Sequence, residues 1–322
     1  MLARQERAFP YDVVLAGEYY FDLIFSGLGE MPRLGADVWS EGFDAIPGAN
    51  FTTARALSLL NTRTGWWCET GSDLFSSLMI GAAEKEGMDT SLFQRRDENR
   101  IRVSAAFSMA GDRGFISRFD GDETLPAPEM LERLRPRVLL IQGLTCRREL
   151  AALFAFARAQ GIYCCFDCQH VDEALDEANL VDILTSTDCF LLNDTEAARL
   201  TGRTGFEALD VLGRFAPLVV LKRGAQGAAL LHRGEGVLER PAPVVEVIDT
   251  TGAGDSFNAG FVYGLLQGWT LEKILDAAIH CGSAAVTDHG GKALPDEADL
   301  LRRVQGDERQ HDILNRKPGD MQ

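Results

Sequence analysis

Asp249-Thr250-Thr251-Gly252-Ala253-Gly254-Asp255-Ser256-Phe257 is the stretch of this sequence whose residue types and spacing could do chemistry. An extended apolar run, Val244-Val245-Glu246-Val247-Ile248, leads into it. After it, Phe257, Phe261 and Leu265 recur at i, i+4 and i+8, the spacing of a helix. The pattern predicts a strand-to-helix junction. Two glycines and an alanine there let the backbone approach a ligand with no side chain in the way. The first N–H groups of a helix lack internal partners and stand at the positive end of its dipole, so the junction suits an anion. Asp255 puts a carboxylate just inside that pocket, an electrostatic cost unless it takes a proton, and a hydroxyl is the natural donor. The chemistry implied is phosphoryl transfer to a small hydroxylated molecule. Asp255 would be the base, and the Gly252, Ala253 and Gly254 amides would hold the transferring group. A plain tight turn with a helix-terminus acid is the alternative that Gly-Ala-Gly-Asp alone leaves open. Two other phosphate motifs are absent: the Gly291-Lys292 pair is followed by Ala293, and Gly-x-Gly-x-x-Gly fails at Phe257.

The nine-residue run resembles the C-terminal signature of the ribokinase-like (PfkB) family of carbohydrate and nucleoside kinases. The resemblance implies a three-layer α/β/α fold with a mostly parallel central sheet and a small antiparallel β lid. It also implies ATP and Mg²⁺, with Asp255 as catalytic base and Gly252-Ala253-Gly254 as anion hole. Asn193-x-x-Glu196, inside Leu191 to Gly202, matches the family's pair near the triphosphate and its Mg²⁺, with Glu196 reaching the metal through water. Taken alone, Asn193 and Glu196 also read as a helix capping box. Val219 to Ala228 resembles the family's K-x-G-x-x-G-A strand and turn at the nucleotide, which implicates Lys222, Gly224 and Gly227. A surface lysine is the alternative for Lys222. Asp22 stands where the family binds substrate hydroxyls, because a carboxylate accepts two directional hydrogen bonds from a diol; a turn-stabilising Asp is the plain alternative. Pro47-Gly48-Ala49-Asn50 adds Asn50 as a substrate contact and Gly48 as a partial substitute for the family's hinge di-glycine, whose places hold Ala45-Ile46. As an isolated residue, Asn50 reads more readily as a helix N-cap than as a ligand contact. The resemblance also implies that the glycine turn at 290–291 can supply carbonyls to a monovalent cation such as K⁺ beside Asp249. Phe166-Asp167 keeps part of a segment of sugar-acid members, with no role assigned to it.

The elements that must position these residues alternate along the chain. Short apolar runs (Val13–Ala16, Trp66–Cys68, Val138–Ile141, Ile162–Phe166, Cys189–Leu192, Leu218–Leu221) are separated by helical patterns near 51–61, 73–87, 147–159, 174–184 and 206–214. That order predicts a mostly parallel sheet covered on both faces. Polar and glycine residues follow each run, as a crevice beyond the strands' carboxyl ends requires. Residues 20–46 and 99–121 alternate with period two and predict a small antiparallel sheet standing off the body. In the resemblance this is the lid over the acceptor and a homodimer surface, and it excludes water that would compete for the phosphoryl group.

With 322 residues, 46% apolar and 25% charged, the chain reads as one globular domain, with a loose polar tail from 306 to 322. A net charge of −16 argues against nucleic acid or an anionic membrane as partner. No run approaches the ~20 apolar residues of a membrane span, and the polar first residues lack the core of a signal peptide, so a cytoplasmic protein is expected. Seven cysteines, an odd number, point to reduced thiols; Cys164-Cys165-x-x-Cys168 reads as strand core rather than metal ligation. The expected acceptor is a sugar or sugar acid. A nucleoside comes second, for Tyr19, Tyr20, Phe107 and Phe119 could stack on a base. Arg102 or Arg118 could meet a sugar-acid carboxylate, although a lid-surface role suits both. A non-catalytic metabolite-binding regulator is disfavoured, because Asp255 and Glu196 are both present.

Overall fold

A computed structural model describes residues 9–109, 112–121, 124–143, 147–168, 178–288 and 293–315. In chain order the first half comprises β1 (Val13–Ala16), β2 (Tyr19–Ser26), β3 (Gly42–Ala49), α1 (Asn50–Leu59), β4 (Thr64–Trp67), β5 (Glu69–Thr70), α2 (Leu74–Lys85), β6 (Gln94–Arg95), β7 (Arg102–Met109), β8 (Asp112–Phe119) and α3 (Pro128–Leu134). The second half comprises β9 (Val138–Gln142), α4 (Arg148–Ala159), β10 (Tyr163–Asp167), α5 (Ala178–Ser186), β11 (Cys189–Asn193), α6 (Asp194–Thr201), α7 (Gly205–Leu212), β12 (Leu218–Lys222), β13 (Ala228–His232), β14 (Gly236–Arg240), α8 (Ala253–Gln267), α9 (Leu271–Ala285) and α10 (Glu297–Asn315).

The main sheet has eight strands in the order β14-β13-β12-β11-β10-β9-β1-β4, parallel except for β13 and β14 at one edge. Its strands are near-continuous apolar runs because both faces are covered. Successive side chains then divide between two cores. Val14, Leu139, Ile141 and Val219 pack on one side of the sheet, and Val13, Leu15, Leu140 and Val220 on the other. Cys164 and Cys165 divide in the same way, so neighbouring thiols cannot converge on one ion. All six described cysteines are free and buried, and no cluster among the described residues could hold a metal. No described helix is long and apolar enough to cross a membrane.

Four expectations change. The apolar run Val244–Ile248 is no strand: it lies outside the sheet, with Val244 fully exposed and Val247 58% exposed. The sheet ends at β14, whose outer side the run does not join. It is tied instead to the end of α9 by Ile248 N–H and Asp249 N–H donating to Val286 O at 2.8 and 3.3 Å. The lid is a four-stranded sheet, β3-β2-β7-β8, but its middle pair β2 and β7 is parallel. Both strands leave the body in the same direction, and only β3 and β8 return. The chain read as a tail is helical as far as Asn315. Arg102 is not on the lid surface but fully buried. The glycine turn at 290–291 and the start of the helix expected from 174 lie outside the described residues.

Candidate active site

Six parallel strands end at one edge, and their last residues meet there. Asp167 is in register with Gln142 on the neighbouring strand, and Asn193 with Lys222. Over this edge α8 begins. Gly252 is its N-cap at φ +76°, a left-handed conformation that an L side chain strains to adopt. A Cβ there would also stand 3.0 Å from Thr52 on α1. The Gly254 amide has no partner among the described residues, and the Ala253 amide reaches Thr250 O only at 3.4 Å. The first turn of α8 therefore presents the Gly254 amide with no acceptor among the described residues and the Ala253 amide with only a long one.

Asp255 is held in that turn, only 7% exposed. Gln142 Nε2 donates to its Oδ1 at 3.1 Å. Thr53 on α1 donates to Gln142 Oε1 at 3.1 Å and to the Asp255 carbonyl at 3.2 Å, fixing both. Ser256 turns back to its own helix, donating to Gly252 O at 2.8 Å.

Beside Asp255 lies a second cluster. Lys222 Nζ donates to Asp167 Oδ2 at 2.8 Å and to Asn258 Oδ1 at 3.4 Å, and Asn258 Nδ2 donates to the same Asp167 oxygen. Burial depresses the Lys222 pKa, but Asp167, Glu196 and Asp255 more than offset it and the net shift is upward. Glu196 is pushed up to about 7, first by burial and then by the Asp167 charge, with Lys222 opposing. The capping box does form. Glu196 N–H donates to Asn193 Oδ1 at 2.9 Å, and Asn193 N–H donates to Glu196 Oε2 at 2.7 Å. These contacts orient both residues at the strand edge.

The acceptor side is built by the lid junction. Asp22 on β2 leans over Gly48 on β3, where any Cβ would collide with the carboxylate. Burial, then the charge of Asp249, raises Asp22 to about 7. Asn50 occupies the first position of α1, behind Ala49, so it is not the N-cap. Its Nδ2 donates to Glu18 O at 2.9 Å and to Gln142 O at 3.3 Å, while its Oδ1 is buried with no partner among the described residues. Asp249 Oδ1 accepts from Thr251 N–H at 2.9 Å, and its Oδ2 is buried with no partner among the described residues.

The structure brings Asp255, Gly252, Ala253, Gly254, Lys222, Asn193 and Glu196 to one edge, with Asp22, Gly48, Asn50 and Asp249 at its lid end. Gly227 has a structural explanation instead: the backbone of residues 240–242 lies against it at φ +92°. Gly224, at φ +54°, faces open space. Sequence reasoning missed Gln142, Thr53 and Asn258, and left Asp167 without a role. Asn258 carried a readable signal, a polar residue in an otherwise apolar stripe one turn beyond Gly254. Tyr19 and Phe119 are committed to packing: Tyr19 OH is hydrogen-bonded to Ser76 at 2.8 Å, and Phe119 lies 4.7 Å under the Arg102 guanidinium. Arg118, 67% exposed, pairs with Asp120 at 2.8 Å.

Buried oxygens without partners test the fit of cations. Asp167 Oδ1 is one, and with Glu196 beside it the donors are the hard oxygens that Mg²⁺ prefers. Asp249 Oδ2 is the corresponding orphan for a monovalent ion.

A family model described as pfkB family carbohydrate kinase matches residues 46–298. The 2-dehydro-3-deoxygluconokinase of Escherichia coli K12 is 33% identical over 257 residues, covering 71% of this chain and 82% of that protein. The ribokinase of Lactococcus lactis is 23% identical over 300 residues, covering 87% and 92%. The structure of Arabidopsis thaliana ribokinase complexed with ribose and ATP superposes with a TM-score of 0.81 at 22% identity, over 92% of this chain and 99% of that one. The chain belongs to the pfkB family of carbohydrate kinases and, as such, is a phosphotransferase with an alcohol group as acceptor.

Proposed function

We propose that the chain transfers the γ-phosphoryl group of ATP to a hydroxyl, a primary alcohol, of a small sugar acid or sugar, with Asp255 as general base.

 The carrying observation is the first turn of α8: an amide at Gly254 without a partner among the described residues, and beside it the Asp255 carboxylate, oriented by Gln142 at 3.1 Å. As the acceptor oxygen bonds to the γ-phosphorus, the bond from that phosphorus to the β,γ-bridging oxygen breaks. The hydroxyl proton passes to Asp255, and the products are ADP and a phosphate ester. The α8 amides stabilise the charge on the transferring group: among the described residues no carbonyl takes the Gly254 amide, and Thr250 O meets the Ala253 amide only at 3.4 Å. Mg²⁺ held at Glu196 through water, with Asp167 beside it, would supply charge neutralisation on the phosphates. Asp249 is the candidate ligand for K⁺. Asn193 and Lys222 lie at the nucleotide end, and Asp22 and Asn50 bind acceptor hydroxyls at the other.

The sugar-acid class is favoured by two relatives 32% and 33% identical over 257 residues, both named 2-dehydro-3-deoxygluconokinase. The nucleoside reading is weakened because Tyr19 and Phe119 are spent on internal contacts. Phe43, Phe115 and Ile116 leave apolar surface on the lid, 55–70% exposed, which supports a homodimer formed through it.

The test is ADP release with 2-dehydro-3-deoxygluconate, ribose, fructose and adenosine as acceptors. Asp255→Asn is expected to lower kcat by about 10²–10⁴-fold, with acceptor KM changed only a few-fold. Turnover comparable to the parent enzyme in that variant would remove Asp255 as the base.

A further inference from the structure

Asp167, Asn258 and Lys222 form a closed buried triangle, and the reaction above gives its ammonium no part in the transfer itself. The two partners of Lys222 are almost inaccessible, Asp167 at 1% and Asn258 at 0% exposure. Burying a charged pair is costly unless its geometry is fixed for a purpose, and structural stability alone is a weak reason for one. The direction of the ammonium is informative. A Cβ added to Gly254 would find Lys222 Nζ at 3.5 Å, with no other group within 4 Å. The cation therefore stands beside the first turn of α8, against Gly254. An ammonium has three N–H donors; Asp167 and Asn258 take two, and one is left. The same helix supplies Asp255 and, three residues on, Asn258, which lie on one face. The adjacent strand ends supply Gln142 for the base and Asp167 for the cation, in register.

We propose that Asp167 and Asn258 aim Lys222 at the transferring phosphoryl group, so that Lys222 is a catalytic cation of the transfer and Asp167 its positioning residue. The proposal rests on the kinase reading above. Lys222 keeps its proton throughout and offsets negative charge on the phosphoryl oxygens while the bond to the leaving oxygen breaks. The Asp167 carboxylate prevents the ammonium from swinging onto Glu196 or Asp255, either of which would withdraw charge from the site or immobilise the base.

The experiment is calorimetric titration of ADP and of AMP-PCP, both with Mg²⁺, into the parent protein, Lys222→Met, Lys222→Arg, Asp167→Asn and the Asp167→Asn/Lys222→Met double variant, with kcat measured in parallel. The parent is expected to bind AMP-PCP more tightly than ADP. Lys222→Met should lose about tenfold or more of that excess, the worth of a charge-assisted hydrogen bond, while keeping its affinity for ADP. Its kcat should fall by about 10²–10³-fold. Lys222→Arg keeps the buried pair, guards against misfolding, and should recover part of the excess. Asp167→Asn should lose part of the excess, and should lose nothing more once Lys222 is already Met, an interaction that a merely structural Asp167 would not produce. The proposal is overturned if Lys222→Met keeps the full AMP-PCP excess, or if ADP and AMP-PCP weaken equally, which would make Lys222 a nucleotide anchor. It is also overturned if Asp167→Asn changes only the Mg²⁺ requirement. A parent protein that binds neither nucleotide would sink the kinase reading itself, a distinct result.

Discussion

Asp22 and Asp249 place two carboxylates in one another's field at the lid end of the site. Burial, and then the charge on Asp249, raises Asp22 from its ordinary 3.8 to about 7. For a carboxyl group whose folded-state pKa is raised, the protonated form is favoured by folding. Its stabilising contribution is complete below about pH 4 and is lost as pH rises through about 7. Binding follows the opposite sense, because only the ionised group accepts two hydrogen bonds from a diol. We therefore expect kcat/KM for the acceptor to rise with pH through about 7. Glu196, raised to about 7 as well, titrates in the same window. The Asp22→Asn profile should consequently be lower and shallower but not flat. A profile of unchanged shape in that variant would remove Asp22 from acceptor binding.

At the scale of elements, two junctions carry the site, and each is made of unusual backbone. The start of α8 uses glycine at φ +76°, as its conformation requires. The junction between β3 and α1 does not: Ala49 sits at φ 53° and ψ −127°, a region suited to glycine. Strain of this kind costs about 1–3 kcal/mol. It is held between the lid strand carrying Gly48 and the helix carrying Asn50 and Thr53. Ala49→Gly should relieve it, offset by about 0.5–1 kcal/mol from the greater freedom of glycine in the unfolded chain. A net gain of about 1 kcal/mol in urea unfolding is expected, and a lower midpoint would show that the alanine is unstrained.

Across the whole molecule, the lid is fastened to the body by one buried arginine. Arg102 on β7 donates from Nη1 to Glu18 Oε2 at 2.5 Å and to the Glu69 carbonyl, and packs over Tyr19 and Phe119. Glu69 is shared with Arg96 and Arg100 at 2.8 and 3.1 Å. Burial pushes Glu18 up to about 7, with Arg102 opposing. Removing the guanidinium would leave Glu18 uncompensated between lid and body. Arg102→Met should cost about 3–5 kcal/mol in urea unfolding, and adding Glu18→Gln should recover part of it. A loss below about 1 kcal/mol would mean that the lid is held chiefly by its apolar contacts.

Much of this was legible in the sequence, because local rules fix it. The alternation of apolar runs and helical patterns determines a doubly covered parallel sheet: an entirely buried strand must be apolar on both faces, as Val13–Ala16 is. The stretch from Asp249 to Phe257 determines a helix start stripped of side chains, with one acid inside it. Periodicity misled only where a strand needed a neighbour, as at Val244–Ile248, because pairing is a property of the sheet and not of the run. Tertiary structure alone decided what surrounds that acid. Gln142 and Asp255 are 113 residues apart in sequence, and Lys222 and Asp167 are 55 apart. Hydrogen bonds and charge fall off over a few ångströms of space, whatever the separation along the chain, so the partners that orient the base and the cation were settled by the fold.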